Sequence, residues 1–144
     1  MPPKLVIDTN ILLVCISERA ENHWLFEAFL DEIFILCVST AILNEYAEIL
    51  EQHMGHETSE NILKVIENAP NVWFVDKYLR WELISADPDD NKFVDCAIAA
   101  NAKCVVSEDN HFNILKTIAF PRVEVMRIKE CKKYLLDLKN ISRM

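Results

Sequence analysis

Lys4-Leu5-Val6-Ile7-Asp8-Thr9-Asn10 is an apolar run of strand length that stops on an acid. Its apolar residues are continuous rather than alternating, the pattern of a strand buried on both faces. Asp, Thr and Asn all suit the start of a helix, and residues 10–16 read as one. Cys104-Val105-Val106-Ser107-Glu108-Asp109 repeats the arrangement late in the chain. Two buried strands, each ending in an acid 101 residues from the other, make a parallel sheet the natural frame.

Working outward, residues 22–31 read as a second helix and 34–38 as a second strand. Ser39 is the N-cap residue for a helix toward His53, with Ile42, Tyr46, Ile49 and Leu50 on its apolar face. Met54-Gly55-His56 breaks that helix, and 58–69 forms the next, turning Ile62, Leu63, Val65 and Ile66 inward. Residues 72–75 are a third strand, and 79–85 a short helical turn. Asp87-Pro88-Asp89-Asp90 opens a helix to about Ala102, because proline suits a first turn and acids suit the positive end of the dipole. A helix over 110–117, a fifth strand over 123–128 and a last helix with Cys131, Tyr134, Leu135 and Leu138 on one side complete the chain. The expected fold class is α/β, one domain over residues 1–144. Ligands of such sheets bind outside the carboxyl ends of the strands, where Asp8 and Asp109 both lie.

Composition narrows the function. The chain has 144 residues, 51% of them hydrophobic, and a mean hydropathy of +0.07, enough for a real core. No stretch reaches the length of a membrane span, and the five cysteines form no C-x-x-C pair, so a cytoplasmic protein with reduced core thiols is expected. The sole glycine, Gly55, excludes Gly-rich dinucleotide and P-loop sites, hence a nucleotide cofactor bound by those routes. Net charge is −8, but residues 122–143 carry seven basic groups against three acids, +4 for the tail. Those groups could touch a phosphate backbone or simply form a solvated helix face. His53 and His56 have metal-compatible spacing, yet Gly55 ends the helix between them and no cysteine or carboxylate supports a zinc site.

Four acids stand out by context. Asp8 ends the first strand; a helix cap is its plain alternative, and Thr9 and Asn10 could either cap or support a metal-bound carboxylate. Glu45 borders the apolar face of its helix, beside Ala41, Ile42 and Ile49, with a border salt bridge as its plain alternative, whereas Glu48 is surrounded by polar residues. Asp95 interrupts Phe93-Val94-Asp95-Cys96-Ala97-Ile98-Ala99-Ala100, and acids are seldom buried without partners. Asp109 follows the fourth strand, where Ser107 and Asn110 could cap equally well. Asp90 could join the site or complement the helix dipole, while Asp87, Asp89 and Glu108 read as exposed. His111, near Asp109, is a candidate for substrate contact. Acids converging at low dielectric imply a cation, and an all-oxygen cage suits Mg²⁺ or Mn²⁺.

Taken together, these segments resemble the PIN-domain ribonucleases, in particular the VapC-like toxins of prokaryotic toxin–antitoxin pairs. Val6-Ile7-Asp8-Thr9-Asn10-Ile11-Leu12 is similar to the family's first motif, and Ser39-Thr40-Ala41-Ile42-Leu43-Asn44-Glu45 to its second. Asp87-Pro88-Asp89-Asp90-Asn91-Lys92-Phe93-Val94-Asp95-Cys96-Ala97 is similar to the third, and Val105-Val106-Ser107-Glu108-Asp109-Asn110-His111-Phe112 to the last. Glu108 departs from the pattern and adds charge beside the final acid. The resemblance implies a PIN-like three-layer α/β/α sandwich with a central, mainly parallel sheet of about five strands. It also implies a metal-dependent endoribonuclease with Asp8, Glu45, Asp95 and Asp109 as catalytic and metal-binding acids and Asp90 as an accessory ligand. Thr9, Asn10, Asn91 and Ser107 would support them. An RNA substrate, a homodimer and a cognate antitoxin protein are the implied partners. Two other classes compete: a catalytically inactive PIN-like scaffold module in RNA metabolism, and a phosphatase or phospho-receiver using Asp8. Asn10 stands where aspartyl-phosphate phosphatases want a second acid, and a receiver's lysine and acid pair are not clearly present.

Overall fold

The computed structural model describes residues 1–142. Five strands, β1 (Lys4–Ile7), β2 (Ile35–Val38), β3 (Val72–Phe74), β4 (Cys104–Val106) and β5 (Val125–Met126), form one sheet in the order β3-β2-β1-β4-β5. Every pairing is parallel. Parallel neighbours need crossovers, supplied by α1 (Thr9–Ile16), α2 (His23–Leu30), α3 (Thr40–Met54), α4 (His56–Asn68) and α5 (Asn91–Ala100). With α6 (Ile128–Ser142), these helices make the three-layer α/β/α sandwich expected from the sequence.

The sheet core is Leu5, Val6 and Ile7 of β1, Leu36, Cys37 and Val38 of β2, and Cys104, Val105 and Val106 of β4, all buried. Burial of this continuous kind is why the strands carry no polar alternation. Tyr46 of α3 is wholly buried and its hydroxyl donates to the carbonyl of Ile7, tying α3 to the end of β1. Ser39 accepts from the N–H of Ile42 at 3.3 Å, the cap its position predicted. All five cysteines are free and buried; burial pushes Cys15, Cys96 and Cys131 up to about 12, so these thiols stay protonated. Among the described residues no helix is long and apolar enough to cross a membrane.

Five expectations change. Val65 of α4, expected to turn inward, is exposed, while its neighbour Ile66 is buried. α4 starts at His56, because Gly55 turns at φ +88° and the second helix begins at once. Residues 110–117 wind as 3-10 turns, and β5 keeps only Val125–Met126 of the expected 123–128. The 79–85 segment is not helical. Its polar backbone groups are taken by α5: Asn91 accepts from Ile84 N–H and donates to Ile84 C=O, both at 2.9 Å, and Asp95 accepts from Trp81 N–H at 3.1 Å. A backbone satisfied by another element's side chains has no need of helical bonds. Arg143, in the basic tail, lies outside the described residues.

Candidate functional site

The strand order reverses between β1 and β4: from β1 the chain steps to β2 on one side, while β4 pairs on the other. Such a switch point opens a crevice at the carboxyl ends of the two strands. Asp8 and Ser107 follow directly there, their strands in register through Ile7 and Val106. Asp8 N–H continues the ladder to Val106 C=O at 3.0 Å.

Asp8 precedes α1, yet its side chain makes no capping bond. Its carboxylate instead accepts from the Ser107 hydroxyl at 2.8 Å and is buried at 6% exposure. Burial, then the charges of Glu45 and Asp109, raise its pKa against the Ser107 hydrogen bond. Ser107 Oγ also accepts from Asp109 N–H at 3.0 Å, so one hydroxyl fixes both acids. Asp109 does cap, accepting from His111 N–H at 2.9 Å.

Glu45 enters from α3, one residue before buried Tyr46. One of its oxygens accepts from the Thr9 hydroxyl, the other from Lys92 Nζ at 2.7 Å. Asp90, 8% exposed, is raised to about 6 by burial and then by Asp87, Asp109 and, more weakly, Asp8, against the hydrogen bond from His111. His111 Nδ1 lies 3.3 Å from both Asp90 and Asp109. Asp87, Asp90 and His111 bring one possible ligand atom each within 4.8 Å of the others.

The structure therefore gathers Asp8, Glu45, Asp90 and Asp109 at one edge. Asp95 lines the groove with Lys92 and has other partners: the charges that act on it are Arg80 and Glu82, and burial raises its carboxyl despite the Trp81 hydrogen bond. Asn91 serves the 79–85 segment, Thr9 and Ser107 serve the acids, and Asn10 is exposed. Glu108 turns away from the acids. It accepts from Ile128 N–H at 3.0 Å, at the start of α6, and pairs with Arg127 at 3.2 Å.

Sequence reasoning read Asp87 as exposed and His111 as a substrate contact rather than as members of the cluster, and it missed Lys92. The first two were visible as polar residues flanking the acids, but only the fold sets them side by side. Lys92 stands two residues after Asp90, and nothing in its spacing marks Glu45, 47 residues away, as its partner.

Beside these acids a groove of about 730 Å³ runs between the 78–85 segment and α5, lined by Tyr78, Arg80, Ile84, Asn91, Lys92 and Asp95 among others. The donor set is all oxygen plus one imidazole, without thiolate, and its charges repel one another. It fits a hard divalent cation, which relieves that repulsion.

Solved structures share this fold. VapBC2 from Rickettsia felis bound to a DNA fragment from its promoter is 16% identical at a TM-score of 0.59, covering 86% of this chain and 98% of that one. VapC20 of Mycobacterium tuberculosis, described as a Sarcin-Ricin loop cleaving toxin, is 11% identical at 0.55, covering 76% and 92%. DNA-bound VapBC from Salmonella typhimurium is 16% identical at 0.54, covering 89% and 99%. At these identities the likeness is one of fold. A sequence search finds no match among curated proteins. The PIN domain family model matches residues 4–111, three-quarters of the chain and every acid of the cluster, and the chain belongs to the PIN-domain family.

Proposed function

We propose that this chain is a metal-dependent endoribonuclease, one PIN-like domain throughout, and the toxin of a toxin–antitoxin pair. The observation that carries the reading is the meeting of Asp8, Glu45, Asp90 and Asp109 at the switch point, where the neighbouring acids add to burial in raising the affinity of Asp8 and Asp90 for positive charge. Asp8, Asp90 and Asp109 would hold Mg²⁺ or Mn²⁺, with Asp87 and His111 at the same edge. A divalent ion bound there would supply an activated water and stabilise charge on the phosphate. Hydrolysis adds a water oxygen to phosphorus and breaks the P–O bond to the leaving ribose oxygen, so no side-chain nucleophile is required. Ser107 holds Asp8 and the Asp109 backbone in place, and Tyr46 fixes α3 so that Glu45 reaches the cleft. Asp95 acts at a distance by anchoring the segment that walls the groove.

The toxin role and the antitoxin partner draw support from likeness to a toxin and to VapBC complexes, and a homodimer is proposed on the family resemblance alone. Reduced, buried thiols fit a cytoplasmic setting. The purified chain is expected to cleave RNA with Mn²⁺ or Mg²⁺ and to lose that activity as Asp8→Asn. Neither cleavage nor metal binding by the unsubstituted chain would favour the inactive scaffold module. Growth arrest on expression, relieved by a neighbouring gene product, tests the toxin role separately.

A further inference from the structure

Glu45 has no oxygen left without a hydrogen bond: Thr9 holds one and Lys92 the other. Lys92 Nζ is 2.7 Å from Glu45, a charge-assisted distance, and both side chains are about four-fifths buried, at 19% and 24% exposure. The carboxylate thus already has its cation. Asp90 and Asp109 each lie 3.3 Å from the imidazole of His111, with Asp87 beside them, and among the described residues no lysine or arginine pairs with these three acids. The edge divides into a half neutralised by an ammonium and a half that is not.

A cleft of four acids is often read as a two-ion clamp. We propose instead that it takes a single divalent cation, on the Asp90 side, and that Lys92 stands in for the second ion as a catalytic residue contacting the scissile phosphate. The inference rests on the nuclease reading and deepens it. Lys92 lines the groove as well as pairing with Glu45, so a strand entering that groove meets its ammonium. An ammonium on a four-carbon stem can exchange one oxygen partner for another with little backbone movement. Glu45 and Thr9 hold Lys92 ready, and the ammonium passes to a non-bridging phosphate oxygen, where it offsets developing charge. The role is electrostatic; Lys92 forms no covalent bond and gives up no proton.

The test is Mn²⁺ titration of the purified chain by calorimetry at neutral pH, with cleavage of a labelled single-stranded RNA alongside. The chain is expected to bind one Mn²⁺. Lys92→Met frees Glu45 and is expected to bind two, returning to one in the Glu45→Gln/Lys92→Met double variant. Lys92→Met should cleave roughly 10²–10³ times more slowly at saturating Mn²⁺, as when one electrostatic donor is lost. Lys92→Arg keeps the charge and should still bind one ion, which shows that substitution here leaves the fold intact, while its differently shaped guanidinium should cleave at a rate between that of the unsubstituted chain and that of Lys92→Met. Two ions on the unsubstituted chain, one on Lys92→Met, or full-rate cleavage by Lys92→Met would each overturn the inference alone. No Mn²⁺ on the unsubstituted chain, with no cleavage, would instead bring down the nuclease reading.

Discussion

Ser107 shows how few atoms can set an acidic centre, since one hydroxyl donates to Asp8 and accepts from the Asp109 backbone. Ser107→Ala should weaken Mn²⁺ binding about 10- to 100-fold, the usual loss when a ligand's own support is removed. Asp95 gives the contrasting case. Asp95→Asn keeps an acceptor for Trp81 N–H and removes only a charge that burial disfavours. It should leave Mn²⁺ binding and cleavage within a few fold, whereas Asp8→Asn abolishes both; loss of both in Asp95→Asn would return Asp95 to the ligand set. Asp90 links the site to pH. Its folded pKa, about 6, is above the ordinary 3.8, so between those values the folded chain holds more proton than the unfolded one. Its contribution to stability therefore falls as pH rises through that window. In metal-free urea titrations, the stability of the chain relative to Asp90→Asn should drop between pH 4 and pH 7; a rise would reverse the assigned sign. Asp8 and Asp109 were legible in sequence because each stops an apolar run. Asp90 and Asp95 were not separable, because helical spacing says which acid lies near an apolar face but not which way the neighbouring segment will engage it.

At the scale of elements, the instructive failure is residues 79–85. Trp81, Leu83 and Ile84 suggest a buried turn, and local propensity supplies no reason against one. What decides the segment is remote: two polar side chains one helical turn apart on α5 bond its backbone, so its conformation is written at positions 91 and 95. Asn91→Ala leaves both polar groups of Ile84 without partners, at a cost of about 1–3 kcal/mol. Hydrogen exchange at Ile84 should quicken markedly, and unchanged exchange would show that the segment holds itself. α3 was read correctly because its signals are local: Ser39 at the cap, and Ile42, Tyr46 and Leu50 spaced to one face. Its hydrogen bond from Tyr46 to Ile7 was beyond sequence, since a buried tyrosine does not announce its acceptor. Glu108 likewise read as a charge added beside the final acid, but it secures the start of α6 through Ile128 and Arg127.

For the whole molecule, alternation of strands and helices was enough to reach a parallel α/β sheet, because such patterns admit few architectures. The order of strands was not readable from alternation, and it is the order that puts β1 beside β4. A divalent ion that binds only the folded chain should stabilise it by about 2.7 kcal/mol at a hundredfold excess over its Kd. A thermal melt with and without Mn²⁺ reads this directly, and Asp8→Asn should show no shift. The pairing of β1 with β4 has one further consequence, for kinetics. Leu5 meets Cys104, and Val6 meets Val105, across a loop of roughly a hundred residues, a contact that local structure cannot bring about early. Until that loop closes, Asp8 and Asp109 sit on separate stretches of unfinished chain and no charged centre exists. On the nuclease reading proposed above, hydrolytic competence would require the completed sheet, so partly folded forms would spare RNA.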